Sequence, residues 1–160
     1  MRKGCNIMSY EQESRRLTEA AAQTAPEDLA AYLAGIRADL LPEGRAFAAY
    51  MRRTLREKRI LQQEVFLAAD LSENYGYKLI AQEKHTRSRD VILRLCLAAK
   101  FTPEETNEAL TLYGFGPLHG RIARDVVLLS AISAGMRELH DVDALLRTHG
   151  QTPLLDAAGD

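Results

Sequence analysis

The side chains with the widest chemical repertoire in this 160-residue chain are His85, His119, His140 and His149 and the thiols of Cys5 and Cys96. A zinc site would need ligands paired a few residues apart, and a thiol nucleophile would need an imidazole to take its proton. The histidines show no paired ligand spacing, there is no Cys-x-x-Cys, and neither cysteine has a histidine nearby in sequence. Cys96 lies in an apolar periodic stretch and reads as core, Cys5 reads as part of a tail, and reduced thiols are expected. Tyr113-Gly-Phe-Gly-Pro has neither the preceding strand nor the Gly-Lys-Ser/Thr of a phosphate loop and reads as a helix stop. Glu104 and Glu105 are adjacent acids, but the first turn of a helix attracts such charges without any substrate. No catalytic residue, metal or cofactor is expected, so the chain reads as a non-enzyme.

What remains as a chemical signal is charge. Between Arg45 and Phe101 there are 12 Lys and Arg against six Asp and Glu, a net +6, which leaves −7 for the rest of a chain whose total is −1. A basic module is what phosphate binding requires, and here it lies between acidic flanks. With 46% apolar residues the chain is too apolar and too evenly charged for disorder, and its longest apolar run, Val126 to Met136, falls short of the ~20 residues that span a bilayer. The N-terminus has no apolar core of a secretory signal, so a cytoplasmic location without membrane contact is expected.

The elements that must position this charge read as helices, because β-branched residues are few and hairpin dipeptides are missing. Ser9 and Gln12 form a capping-box pair opening a polar segment to about Ala22. Pro26-Glu27-Asp28 starts an amphipathic helix carrying Leu29, Tyr32, Leu33, Ile36 and Leu40 that Leu41-Pro42 should stop. Another runs from about Arg45 to Lys58 with Phe47, Tyr50, Met51 and Leu55 inward, and short ones run from Gln62 to Ala69 and from Ser72 to about Gln82. Ser88 should cap a helix to about Ala99 with Val91, Ile92, Leu95 and Cys96 inward; Thr102 and Glu105 should cap each other around Pro103, in a helix ending before Gly114. The sequence then repeats. Arg89-Asp90-Val91-Ile92-Leu93 returns 35 residues on as Arg124-Asp125-Val126-Val127-Leu128, Ala109-Leu110 returns at the same offset as Ala144-Leu145, and Gly116-Pro117-Leu118 is echoed one residue out of step by Thr152-Pro153-Leu154. Two successive αα-hairpins are expected, too few for a solenoid.

Leu61 to Asp90 resembles the helix-turn-helix of the lambda-repressor-like (Cro-repressor, XRE-type) DNA-binding family. That family's opening Gln, αL-tolerant turn residue, apolar plug and capping Ser look filled by Gln62, Asp70, Leu71 and Ser72, with Leu79 as apolar anchor of the second helix. The segment from Ser88 to Leu110 is similar to the family's fourth and fifth helices, so the resemblance covers about residues 45 to 114. Three places depart from the pattern. Phe66 stands where the family usually has a small residue and Gly76 where it has an aliphatic one, which suggests a volume exchange across the motif. Gln82 to Arg87 lacks the usual Gly and Pro and reads as one residue longer.

Helix signals, the repeat and the resemblance together give the expected organisation of an all-α protein: an N-terminal helical extension (1–44), a five-helix repressor-type helix-turn-helix domain (45–116), which the resemblance implies, and a C-terminal αα-hairpin and tail (117–160). It implies a bacterial or phage transcriptional regulator that reads double-stranded DNA through the helix starting at Ser72, acting as a homodimer because one recognition helix reads few base pairs. Base contacts would come from Glu73, Asn74, Tyr77 and Lys78, and phosphate contacts from Gln62, Ser72, Lys84, His85, Arg87 and Arg89. Of the two tyrosines, Tyr75 is expected inward. The alternative, favoured by the acidic flanks, the altered loop and Glu73, is a protein-interaction adaptor that keeps the scaffold without DNA binding and gives the groove-facing surface to a protein partner, with the acidic flanking helices as a further place for such a partner.

Overall fold

A computed structural model describes residues 8–155, all helical, with no strand among the described residues. Cys5 lies outside them. The chain divides between Leu41 and Pro42 into two compact units.

The first unit holds α1 (Tyr10–Gln23), a 3-10 turn at Pro26–Asp28 and α2 (Leu29–Gly35). The Ser9 capping box is formed: Gln12 N donates to Ser9 Oγ at 3.2 Å and Ser9 N to Gln12 Oε1 at 2.9 Å. The Tyr32 hydroxyl ties the two helices by donating to the Leu17 carbonyl at 3.2 Å. The single amphipathic helix expected from Pro26 to Leu41 is shorter than its apolar spacing suggested. Its α-helical part ends at Gly35, followed by turns, and none of its side chains is buried. Short helices depend on packing an apolar face, and Leu29, Leu33 and Leu40 stay exposed, so nothing offsets the helix-breaking tendency of Gly35.

The second unit begins with α3 (Ala46–Glu57), α4 (Gln62–Ala68), α5 (Glu73–Ile80), α6 (Arg89–Ala98) and α7 (Pro103–Tyr113). α3 packs on α5 and α7, α4 on α5 and α6, and α6 on α7. Phe47, Tyr50, Met51 and Leu55 of α3 are buried as their spacing requires. α6 goes further than its expected single face, because every residue from Val91 to Ala98 is buried, including Arg94. Two caps differ from expectation. Ser88 occupies the N-cap of α6 without a side-chain cap bond, and its own N–H donates to the Thr86 hydroxyl at 3.0 Å. Thr102 accepts from Glu105 N at 3.1 Å, but the Glu105 carboxylate leaves the cap to pair with Lys58 at 3.0 Å. Gly114 ends α7 at φ 102°, a conformation that side chains with a Cβ rarely adopt.

α8 (Ala123–Ser133) and α9 (Leu139–Thr148) complete the second hairpin. The first helices of the two hairpins match at an offset of 35: Ala99 and Ala134 are C-caps, Lys100 and Gly135 take positive φ, and the amides of Phe101 and Met136 close the same turn onto Cys96 O and Ala131 O. One residue is then inserted. The N-caps Thr102 and Glu138, the left-handed Gly114 and Gly150, and the buried Leu118 and Leu154 all match at 36. The gapless offset expected from Ala109-Leu110 and Ala144-Leu145 is therefore corrected: Leu110 corresponds to Leu146, both fully buried, whereas Ala144 is exposed. The echo at Pro117 and Pro153 carries the true register of the second helices.

The hairpins are joined by exchanged ion pairs. Arg89 meets Asp125 at 2.8 Å and Arg124 meets Asp90 at 2.7 Å. Each arginine also donates to two carbonyls after its own hairpin, Arg89 to Gly116 and Pro117, Arg124 to Thr152 and Pro153. Asn107 and Asp143 each accept from the amide eleven residues on, Leu118 at 2.8 Å and Leu154 at 2.6 Å. α6 packs on α9 and α7 on α8. Because the exchange is mutual, the hairpins are related by a pseudo-two-fold rather than by translation, and the pair closes on itself instead of propagating as a solenoid.

Candidate nucleic-acid interface

α4 and α5 are joined by Asp70, Leu71 and Ser72. Asp70 takes φ 56°, the left-handed region in which Asp is one of the better-tolerated side chains, and Leu71 N then reaches back to Phe66 O at 2.9 Å. Ser72 is extended and its hydroxyl accepts from Tyr75 N at 3.3 Å, so the turn and the start of α5 follow from local chemistry.

Three longer-range contacts hold this pair in place. Arg94 of α6 donates to Ala69 O at 2.7 and 2.9 Å and to Asp70 O at 2.8 Å, a buried guanidinium on the carbonyl end of α4, where the helix dipole favours positive charge. Phe66 is fully buried against Gly76: a Cβ built on Gly76 would lie 2.5 Å from Phe66 Cγ and 2.6 Å from Cε1. The volume exchange is thus real, and the ring also meets Tyr77 edge-on at 4.9 Å. Gln82, at φ 60°, accepts from Ala48 N at 3.1 Å and so satisfies an amide in the first turn of α3.

The loop after α5 folds back through Lys78 O, which accepts from the amides of Glu83 and Lys84 at 2.8 and 3.1 Å. Gln82 supplies the left-handed residue where a Gly would be usual. Thr86 is buried and its amide donates to the Tyr113 hydroxyl at 2.7 Å, while the His85 ring stacks on Tyr113 at 4.8 Å with 6° between planes.

Glu73, Asn74, Tyr77 and Lys78 follow one face of α5 by helical spacing; the first three are exposed and Lys78 is half-buried. Tyr75 is half-buried with Lys84 Nζ 5.9 Å from its ring centre, and Tyr77 is 42% exposed with its ring against Phe66; neither is core, so the inward Tyr75 expected from the sequence is only partly inward. Ser72, Lys84, His85 and Arg87 are exposed, and Gln62 is half-buried at the first position of α4. Arg89 stands apart from this group. Its guanidinium nitrogens are engaged by Asp125, Gly116 O and Pro117 O, so it clamps the hairpins rather than facing a ligand.

Asp125 is almost wholly buried, which by itself pushes its carboxyl up; the hydrogen bonds from Arg89 and from the His119 amide, with the field of Arg89 and Arg124, outweigh that and hold it below its ordinary value. Burial, followed by the Glu105 charge, pushes the Cys96 thiol far up, which leaves it an inert core residue. Among the described residues no cluster of His, Cys, Asp and Glu could hold a metal, and no helix is long and apolar enough to cross a membrane. Sequence reasoning missed Arg94, Gln82 and the Thr86–Tyr113 pair. No family model, curated protein or solved structure matches the chain.

Proposed function

We propose that the protein is a sequence-specific DNA-binding transcriptional regulator whose α3 to α7 form a five-helix, repressor-type helix-turn-helix core, with α5 entering the major groove. The observation that carries this reading is the α4–α5 pair: a left-handed Asp70, a capping Ser72, and a following helix whose exposed face offers Asn74, Tyr77 and Lys78. Asn74 matches the donor and acceptor pair of adenine, Lys78 the acceptors of guanine, and Tyr77 a thymine methyl or a phosphate. Gln62, Ser72, Lys84, His85 and Arg87 supply the phosphate contacts that fix register, and Arg89 is left out of that set. Glu73 lies at the edge of the readout face, where a carboxylate suits only a cytosine amino group. The reading includes a homodimer on a two-fold operator and no catalysis.

Selection from a randomised duplex pool tests it. An enriched sequence with repeated half-sites supports the reading; a pool that stays random after successive rounds rejects it. A second reading, an adaptor that uses the same scaffold for a protein partner, is favoured by Glu73 in the first turn of α5 and by the acidic flanks. It requires that binding to the partner be insensitive to Lys78→Ala and Arg87→Ala.

A further inference from the structure

Between α4 and the start of α5 lies a surface cleft of about 280 Å³, lined by Gln63, Glu64, Leu67, Leu71 and Glu73. Leu67 is 84% exposed, the most exposed large apolar side chain among the described residues, and half-buried Leu71 stands beside it. An isolated exposed leucine is ordinary; one standing over an apolar cleft on a well-formed helix is an anchor point.

The charge around the cleft has the wrong sign for nucleic acid. The segment from Arg45 to Phe101 carries 12 bases and only six acids, yet two of the six, Glu64 and Glu73, line this one cleft. Both are exposed, neither is in an ion pair among the described residues, and no base lines the cleft. A phosphate brought here would meet two unpaired carboxylates and no base, whereas Lys or Arg would be attracted by both.

We infer that this cleft docks an amphipathic segment of a different protein, one that seats an aliphatic side chain against Leu67 and Leu71 and sets Lys or Arg over Glu64 and Glu73. The cleft and the readout face of α5 are then separate surfaces of one helix pair: Asn74, Tyr77 and Lys78 serve DNA, while Leu67 and Glu73 serve the protein partner. The docking does not depend on the DNA reading, since its lining residues and its charge stand whether or not α5 enters a groove.

The probe is a phage-displayed library of random 12-residue peptides panned on the purified full chain, with the Leu67→Ala protein as counter-selection. Leu67 is exposed, so this substitution leaves the core untouched. Docking requires enriched peptides that place Leu, Ile or Met beside Lys or Arg, lose about tenfold or more in affinity on Leu67→Ala, and weaken several-fold on combined Glu64→Gln and Glu73→Gln. It also requires that Leu67→Ala leave any DNA affinity of the chain unchanged. Enrichment of no Leu67-dependent peptide overturns the inference. So does dissociation of a dimer of this chain by Leu67→Ala in light scattering, which would make the cleft a self-interface, and so does loss of DNA binding on Leu67→Ala, which would return it to the nucleic-acid face. If the duplex selection fails while basic peptides are still captured through Leu67, the DNA reading falls and the docking stands.

Discussion

The second unit is held together in two ways that share one helix. On one side of α6, α4 and α5 are matched by volume: the Phe66 ring occupies the space that Gly76 leaves, and the buried Arg94 bonds only to main-chain carbonyls. On the other side, the hairpins α6–α7 and α8–α9 are matched by charge, through the exchanged pairs Arg89–Asp125 and Arg124–Asp90. Shape matching uses no charged group of α5; of the outer side chains, Tyr77 joins the packing, edge-on against Phe66 at 4.9 Å, while Glu73 and Asn74 stay exposed. Charge matching consumes its ionic groups, which is why Arg89 cannot serve both the clamp and a phosphate. The two hairpins also differ where their register is equal. Tyr113 ends α7 and holds Thr86 and His85 of the loop after α5, whereas its counterpart His149 is exposed after α9, so only the first hairpin supports the candidate interface.

The largest effect should come from breaking the charge-matched side at its buried acid. Asp125→Asn leaves the Arg89 guanidinium facing a neutral amide, and we expect a loss of about 3 kcal/mol in denaturant unfolding; Asp90→Asn, whose carboxylate is more exposed, should cost less. Similar losses from the two substitutions would contradict the difference in burial between the pairs.

Breaking the shape-matched side is next in size. Gly76→Ile should cost about 2 to 3 kcal/mol because the new side chain and the Phe66 ring claim the same space, and Phe66→Ala added to it should recover part of the loss. A melting temperature unmoved by Gly76→Ile, or a double variant worse than the sum of the singles, would remove the volume exchange.

Acid separates the two sides without mutation. Asp125 has a folded-state carboxyl below its ordinary value, so its contribution is present above the unfolded value of about 3.9 and is lost as pH falls through the folded one. Below about pH 4, amide exchange in α8 and α9 should accelerate before that in α4 and α5, and Asp125→Asn should flatten the pH dependence. Uniform acceleration across α4 to α9 would mean that the clamp is not the acid-sensitive part.

The smallest effect is at a cap. Ser72→Ala removes the hydroxyl that accepts from Tyr75 N and should cost about 1 kcal/mol, and if α5 reads DNA the affinity should fall as its first turn frays. Unchanged stability would show that Asp70 and Arg94 alone define the start of α5.

Much of the fold was legible because its signals are local. Ser72, Thr102, Pro103 and Gly114 mark helix ends by what each does to the nearest backbone, and the Phe66 and Gly76 swap shows itself as two volumes out of place. The overextended α2 shows the limit of periodicity: apolar spacing continued past Gly35, but no surface was there to bury it. Arg94, Gln82 and Tyr113 were illegible for a different reason. Their partners lie 25, 34 and 27 residues away, and nothing in one sequence links residues at such separations. The repeat lies between these cases, since it displayed all four residues of the clamp but not that each arginine crosses to the other hairpin's aspartate. At the candidate interface, sequence placed α5's outer face well and misjudged Arg89, because an arginine in the first turn of a helix looks the same whether it meets phosphate or carboxylate.

The most direct measurement is the affinity of the full chain for its selected duplex as a function of salt, for the wild type and for Lys78→Ala. Groove binding by α5 requires a steep linear fall of log affinity with log salt and weaker binding by Lys78→Ala, with the largest loss at particular base pairs. A weak affinity that vanishes near physiological salt and is indifferent to Lys78→Ala and Arg87→Ala would contradict DNA reading by α5.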